Sequence, residues 1–443
     1  MSERDNLSRT EQGLALEIAA EAVDALVHYT AALTEEPDEF DALAGAGRAL
    51  AKLGEKDTAI AALSTTIDRF AQRGDLLAAI AALRALAELD EGTAEPSKAR
   101  LAELYGRESQ RVDRSRMRVV PPALPKAAPQ PIAKQDPRAA RAAAIEVCER
   151  ICASTKKPAD ADSKKLPFHP LFSDLQATDL AALIPLTSIA YAATGTRLIE
   201  QGDSDSAFFV LVRGEVGVEQ RDGQGQVTQV ARLRDGAFFG EMALLTRTPR
   251  VASVVALRPS IALRLDRAAV ESLAKKSASV GRVLADYTRQ RLLKNVMLTA
   301  PLFRRLEDPA RRQALIDLFS SNVFADGDVI VRQSEHVDGL HVLLSGEATV
   351  VAEGDVEVVL ATLGPGDVFG EISLIQRSPA TATVRAVGKS VILRLSREQF
   401  NQRVDQYPEV LAHLYALANQ RQQANDEALE EETVNLSAED LLL

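Results

Sequence analysis

The chain has 443 residues, a formal net charge of −11, 46% hydrophobic residues, two cysteines and no tryptophan. That length has room for about three domains, and the acidic balance argues against generic nucleic-acid binding. There is no apolar run of about 18 residues, so no membrane span is expected. The polar start, Met1 to Gly13, lacks the apolar core of a signal peptide, which points to a cytoplasmic protein.

Residues 8–110 read as an all-helical module. Gly13, Leu16, Ala25 and Tyr29 recur 34 residues later as Gly47, Leu50, Ala59 and Leu63. Small residues at the first and third places let two helices cross closely, and larger ones fill the groove. Gly74 to Asp90 reads as a further second helix and Ser97 to Gly106 as a closing one. This period and pattern resemble tetratricopeptide repeats. Such stacked pairs imply a surface for a protein partner; a plain helical bundle used for dimerisation, and so a homo-oligomer, is the alternative.

Residues 111–165 read as a linker. It opens on Arg111, Arg114, Arg116 and Arg118, then carries six prolines between Pro121 and Pro137. Asp136-Pro137 is a helix start, which predicts an isolated helix over Arg138 to Ala153. Cys148 and Cys152 stand four apart on it. That is not a CxxC spacing, and no histidine cluster accompanies them, so no metal site is expected.

The rest of the chain is an internal repeat. Phe239-Gly240-Glu241-Met242-Ala243-Leu244-Leu245, ending in Thr248-Pro249-Arg250, recurs as Phe369-Gly370-Glu371-Ile372-Ser373-Leu374-Ile375, ending in Ser378-Pro379-Ala380. Ser260 to Arg267 (SIALRLDR) returns at Ser390 to Arg397 as SVILRLSR, and Pro170-Leu171-Phe172 returns as Pro301-Leu302-Phe303. The domains are therefore placed at 166–297 and 298–424. Short valine-, leucine- and phenylalanine-rich runs between glycine and aspartate turns predict an antiparallel barrel or jelly roll in each. Helices are predicted over Ala268 to Leu298 and Glu398 to Leu429. Residues 425–443 carry seven acidic and no basic residues and are expected to be disordered. The fold class is multidomain α+β: a helical repeat module followed by two jelly-roll domains with flanking helices.

Each unit resembles the cyclic nucleotide-binding domain of the catabolite activator protein and of protein kinase A regulatory subunits. The segment from Phe239 to Val254, FGEMALLTRTPRVASV, is similar to that family's phosphate-binding cassette. The resemblance implies a site formed by Gly240, Glu241, Met242, Ala243, Arg250 and Val251. Gly240 lets the backbone approach a cyclic phosphate closely. The amides of the helix opening near Glu241 face it, and Arg250 gives it a charge-assisted bond. In the family, the glutamate at the place of Glu241 accepts from the ribose 2′-hydroxyl. Val251 has no hydroxyl for a guanine edge, which favours cAMP over cGMP.

The second cassette has Ala380 where the arginine should stand. That loss weakens phosphate binding by roughly 1.5–3 kcal/mol, about 10- to 150-fold. The weaker candidates there are Gly370, Glu371, Ser373, Thr381 and Arg377. Arg385, an odd number of residues away along a strand, should face elsewhere. Gly202, in the turn IEQGD, becomes Gln333 in IVRQS. The second domain thus reads as structural, or as a weak site preferring guanine through Thr381.

No nucleophile spacing or hydrolase, cyclase, kinase or phosphodiesterase signature is present, so a non-catalytic receptor with no cofactor is expected. No helix-turn-helix follows the second domain. The leading reading couples cyclic nucleotide binding in the first domain to a protein held by the helical repeats. Two alternatives stay open: a scaffold with merely structural barrels, and the regulatory subunit of a separate enzyme, whose linker around Arg114-Ser115-Arg116 would act as an inhibitor.

Overall fold

Three antiparallel helix pairs open the computed structural model, which describes residues 7–117, 132, 135–154, 165–169, 171–221, 225–240, 250, 252–354 and 357–440. They are α1 (Arg9–Ile18), α2 (Ala22–Glu35), α3 (Phe40–Lys52), α4 (Lys56–Arg73), α5 (Leu76–Leu89) and α6 (Glu91–Tyr105). Alanine and leucine dominate, and the starts of α1, α5 and α6 are capped by side chains. Ser8 and Glu11 form a capping box on α1, and Asp75 and Asp90 accept from Ala78 N and Thr93 N. The 34-residue spacing has a steric basis. A Cβ on Gly13 would meet the Tyr29 ring at 2.7 Å, and one on Gly47 would meet Leu63 Cγ at 3.2 Å. The same small-against-large crossing therefore recurs in the first two pairs. Gly74 to Asp90, expected as a second helix, is instead the first helix of a third pair, with α6 as its mate.

The linker reading needs two corrections. Strand β1 (Val112–Met117) pairs in parallel with β2 (Leu166–Phe168), so Arg114 and Arg116 lie in a small sheet; Arg118 lies outside the described residues. Arg114 bonds Asp174 at 2.7 Å and lies over the Phe168 ring. The helix expected to be isolated, α7 (Pro137–Ser154), packs against α2, α3 and α4. It starts at Asp136, whose carboxylate accepts from the amides of Arg138 and Ala139.

After α8 (Ala177–Leu183) come β3 (Thr187–Ala192), β4 (Arg197–Ile199), β5 (Phe208–Arg213), β6 (Glu215–Arg221), β7 (Val227–Arg234), β8 (Phe238–Phe239), β9 (Ser253–Ala256) and β10 (Ser260–Leu265). They form two four-stranded antiparallel sheets, β3-β10-β5-β8 and β4-β9-β6-β7, a jelly-roll arrangement rather than a closed barrel. α9 (Arg267–Lys276) and α10 (Ala278–Thr299) follow, broken at the extended Ser277.

Strand β5 is apolar on both faces because both are covered. Phe209 and Leu211 join Phe239, Val254 and Ala262 inside the jelly roll. Phe208, Val210 and Val212 point the other way, into one cluster continuous with the core of α1–α6. The helical pairs thus share a core with the first sheet. Acidic residues in the first turns of alternate helices add ion pairs. Glu11 of α1 meets Arg258 at 2.6 Å, and Asp41 of α3 and Asp75 at the start of α5 both meet Arg213. Helices and sheet belong to one compact unit, which runs to Tyr287; a second begins at Thr288.

The second unit holds α11 (Pro301–Arg304), α12 (Pro309–Ile316), β11 (Ser320–Phe324), β12 (Val329–Val331), β13 (Gly339–Ala352), β14 (Val358–Leu363), β15 (Val368–Phe369), α13 (Glu371–Gln376), β16 (Thr383–Ser396), α14 (Arg397–Arg403) and α15 (Pro408–Asp440). The long β13 and β16 do the work of two strands each in the first unit and pair with one another antiparallel. The acidic tail, expected to be disordered, continues α15 to Asp440. Side-chain bonds four residues apart, Gln422 to Asp426 and Gln423 to Glu427, favour the helix there. Residues 441–443 lie outside the described residues.

Candidate functional site

In the first unit the repeat places Arg250 against Gly240. Arg250 is buried, 8% exposed, on the approach to β9. Its Nη1 donates to Gly240 O at 2.9 Å and its Nη2 to Ala207 O. Its backbone is clamped as well: Arg250 N donates to Asp203 O at 2.9 Å, and Gly202 N donates to Arg250 O at 2.8 Å. Gly240 has φ 78°, and a Cβ there would lie 3.0 Å from Arg250 Nη1 and 3.1 Å from Ala207 O. Glycine is needed at this position for its conformation and for the close approach. The result is a buried guanidinium fixed beside a left-handed glycine turn, directly after the stacked Phe209 and Phe239 rings, 5.2 Å apart. Glu241, Met242, Ala243 and Val251 lie outside the described residues.

The second unit repeats the backbone without the cation. Ala380 N donates to Glu335 O at 2.8 Å, and Ser334 N donates to Ala380 O at 2.9 Å. These are the same two bonds that hold Arg250. The Ala380 methyl packs in an apolar cluster with Val331, Val337 and Phe369. Gly370, φ 83°, opens α13.

This bonding corrects one register. Gln201 and Gln333 are the true counterparts. Each side-chain amide donates to a backbone carbonyl, of Arg221 at the end of β6 and of Glu353 just past β13, and each amide oxygen accepts from that residue's N–H. Gly202 therefore corresponds to Ser334, which holds φ 66° without being glycine. Sequence pairing slipped by one because the Gln-Gly and Gln-Ser turns look alike only once the glutamines are superposed.

The remaining second-unit candidates scatter. Thr381 and Arg377 are exposed, Arg377 in a left-handed conformation at the end of α13. Arg385 pairs with Glu353 at 3.0 Å and Glu357 at 3.3 Å. Ser373 is buried and donates to Ser378 O, while Arg397 reaches Ser373 Oγ at 3.3 Å. Glu371 is 2% exposed and accepts from Arg421 of α15 at 3.0 Å. Burial raises the Glu371 carboxyl above its ordinary range, with Arg421 opposing.

Three participants were invisible to sequence reasoning. Arg421 lies 50 residues from its glutamate, and no motif marks it. Arg397 matches Arg267 in the repeat, but nothing local shows that it turns toward the cassette. His341 stands where the first unit has Phe209. It stacks on Phe369 at 5.0 Å with its Nε2 3.2 Å from Asp338. The neighbouring His341 and Arg394 hold the Asp338 carboxyl down at about 2, against burial. The β13–β15 register, His341 opposite Phe369 as Phe209 is opposite Phe239, identifies the exchange.

Among the described residues, no group of three or more His, Cys, Asp or Glu could hold a metal ion. No helix there is long and apolar enough to cross a membrane.

The family model for the cyclic nucleotide-binding domain matches residues 190–277 and 321–407. The chain is similar to the cAMP-dependent protein kinase regulatory subunit of Blastocladiella emersonii, 31% identical over 235 residues, covering 52% of this chain and 55% of that protein. The Dictyostelium discoideum protein of the same name is 30% identical over 239 residues, covering 52% of this chain and 69% of that one. Among solved structures, the regulatory domain of Toxoplasma gondii PKA with cAMP covers 57% of this chain and 92% of that chain, at 24% identity and a TM-score of 0.27. The chain thus spans about half to two thirds of the length of these curated relatives. Residues 9–105, whose period resembles tetratricopeptide repeats, form three helix pairs.

Proposed function

The chain belongs to the family of tandem cyclic nucleotide-binding domain proteins that includes the cAMP-dependent protein kinase regulatory subunits, and on that premise we propose that it is a non-catalytic cyclic nucleotide receptor with one strong site. The observation that carries this is the buried Arg250 guanidinium fixed beside Gly240, set against Ala380 on an otherwise matching backbone. A cyclic phosphodiester carries one negative charge on a rigid ring. A cation held beside a glycine turn can meet that charge with a charge-assisted bond. Glu241, Met242, Ala243 and Val251 complete the site in this reading, with the adenine ring favoured because Val251 offers no hydroxyl.

Gly370, Glu371 and Ser373 form the second cassette, in which Arg421 already satisfies the glutamate. Thr381 and Arg377 are its outer candidates. We take this unit as a structural or relay domain, and the helical pairs as the protein-docking module.

A second reading is favoured by the names of the relatives: regulatory subunit of a separate protein kinase. In that reading the output is release or restraint of the enzyme by nucleotide. Arg114-Ser115-Arg116, which would be the inhibitory segment, lies in β1, in the irregular stretch between the paired Asp113 and Met117.

Calorimetry of the whole chain with cAMP and cGMP tests the proposal. Tighter binding of cAMP is expected, with the 2′-deoxy analogue much weaker because the carboxylate of Glu241 would lose its partner. No heat and no competition with either nucleotide would overturn the receptor reading and favour a scaffold.

A further inference from the structure

Helix α7 is an unusual part of the first unit. It buries Ala140, Ala144, Val147, Cys148 and Ile151, all 8% exposed or less, the last four in the same cluster as α1–α6. These positions follow the helical repeat and form one stripe. Arg138, Ala142, Glu146, Glu149 and Arg150 on the other face are exposed. The contacts run to α2, α4 and, less, α3. The first turns of α1, α3 and α5 face elsewhere, toward Arg258 and Arg213 of the sheet domain. The helical pairs therefore have two covered sides: one docked on β3-β10-β5, the other under α7.

The two coverings differ in how they are held. The sheet side has a shared core of large side chains and buried arginines. The α7 side is lined by alanine, valine, cysteine and isoleucine. Its ion pair, Arg141 to Glu55 at 3.1 Å, is 42% and 33% exposed, and such pairs hold weakly. Unlike α1–α6, which follow one another through short turns, α7 is joined to the fold by residues 118–136 and 155–164. The first of these, with Pro121, Pro122, Pro125, Pro129 and Pro131, spans up to about 60 Å when extended.

We infer that the surface of α2, α3 and α4 is a helix-docking groove closed in cis by α7. The partner it fits is an amphipathic helix with small residues at i, i+4 and i+8, aliphatic residues at i+7 and i+11, and a basic residue at i+1 to meet Glu55. This inference rests on the reading of the helical pairs as a protein-docking module and is independent of nucleotide binding. The short stem of small side chains lets helix axes approach closely, which selects against a bulky-faced helix. Occupancy in cis lowers the apparent affinity for any such partner by the fraction of molecules in which the groove is open.

The test uses the full chain and a fluorescent peptide of residues 135–156. In the Val147→Arg/Ile151→Arg chain, two charges beneath α7 expel it while α2–α4 keep their sequence. This variant should bind the peptide at least ~100-fold more tightly than the wild-type chain does, the ratio for a groove open in about 1% of molecules. Glu55→Lys in the variant should weaken that binding, and an Arg141→Glu peptide should restore it. A folded variant that does not bind the peptide, or a wild-type chain that binds it equally well, overturns the inference. Should the variant not fold, protease sites placed in 121–131 and 156–163 of the natural chain decide. After both cuts and dilution, the α7 fragment should dissociate from a remainder that keeps its circular dichroism. A fragment that stays bound, or a remainder that unfolds, overturns it. Loss of the protein-docking reading itself would show as peptide binding by the variant without any protein partner engaging the groove.

Discussion

Replacing Arg213 by methionine should separate the helical pairs from the sheet domain energetically. Arg213 is 19% exposed, and its partners Asp41 and Asp75 are 27% and 20% exposed. Asp235, whose carboxylate accepts from Gly214 N at 2.9 Å, adds a third negative charge nearby. Methionine keeps most of the stem's packing but leaves three carboxylates without their shared cation. Removing one partner of a buried pair costs about 3–5 kcal/mol. Partial exposure of the aspartates lets water take part of the load, so we expect about 2–4 kcal/mol. For a unit of this size that corresponds to roughly 6–12 °C in the melting transition. The assay is thermal unfolding of the full chain, with hydrogen exchange at β5 and α5 identifying the transition that belongs to the first unit. Adding Asp41→Asn and Asp75→Asn should recover more than half of the loss, because the stranded charges go and asparagine still caps α5. A transition unchanged within about 1 °C in Arg213→Met would refute the view that this node holds the helices to the sheet.

Three further outcomes follow from the same geometry. Deleting residues 1–110 uncovers Phe208, Val210 and Val212, so the remaining chain should self-associate in sedimentation; a monomeric remainder would contradict the shared core. Arg421→Ala strands Glu371, 2% exposed, and should destabilise the second unit by about 3–5 kcal/mol, with Glu371→Gln on top giving most of it back in denaturant titrations. Acid should strengthen the helix–sheet junction: burial pushes the Asp235 carboxyl up to about 6 and the Glu39 carboxyl up to about 7. Both folded values lie above the unfolded ones, so this stabilisation is complete below about pH 4 and is lost as pH rises through 6 to 7. The Asp235 share is on the order of 3 kcal/mol. His28, which burial lowers, works in the opposite direction below about pH 6.5, so the diagnostic is the difference from Asp235→Asn. That variant should melt with a flatter pH profile, and an identical profile would sink the assignment.

What the sequence made legible was what repeats or what is local. The cassette, the glycine turns and the strand-rich runs recur in the same chain, so their spacing exposed both jelly-roll units and the Arg250/Ala380 contrast. The crossing of Gly13 on Tyr29 and of Gly47 on Leu63 was readable for the same reason. What stayed hidden depends on partners far away in the chain. Arg213 finds Asp41 172 residues off, and Arg258 finds Glu11 247 residues off. The apolar stripe of α7 shows in its periodicity, but periodicity does not say what covers it. The glutamine register of Gln201 and Gln333 appears only through their bonds to the opposite strand. The acidic tail was misjudged because charge was weighed above its helix-forming alanines, leucines and glutamates.

The most direct measurement of the central claim is the stoichiometry of cAMP binding to the whole chain, taken together for wild type, Arg250→Ala and Ala380→Arg. We predict one tight site per chain in the wild type, loss of about 10- to 150-fold in affinity in Arg250→Ala, and a second or strengthened site in Ala380→Arg. Two equally tight sites in the wild type, or unchanged affinity in Arg250→Ala, would contradict a receptor built on the buried guanidinium beside Gly240.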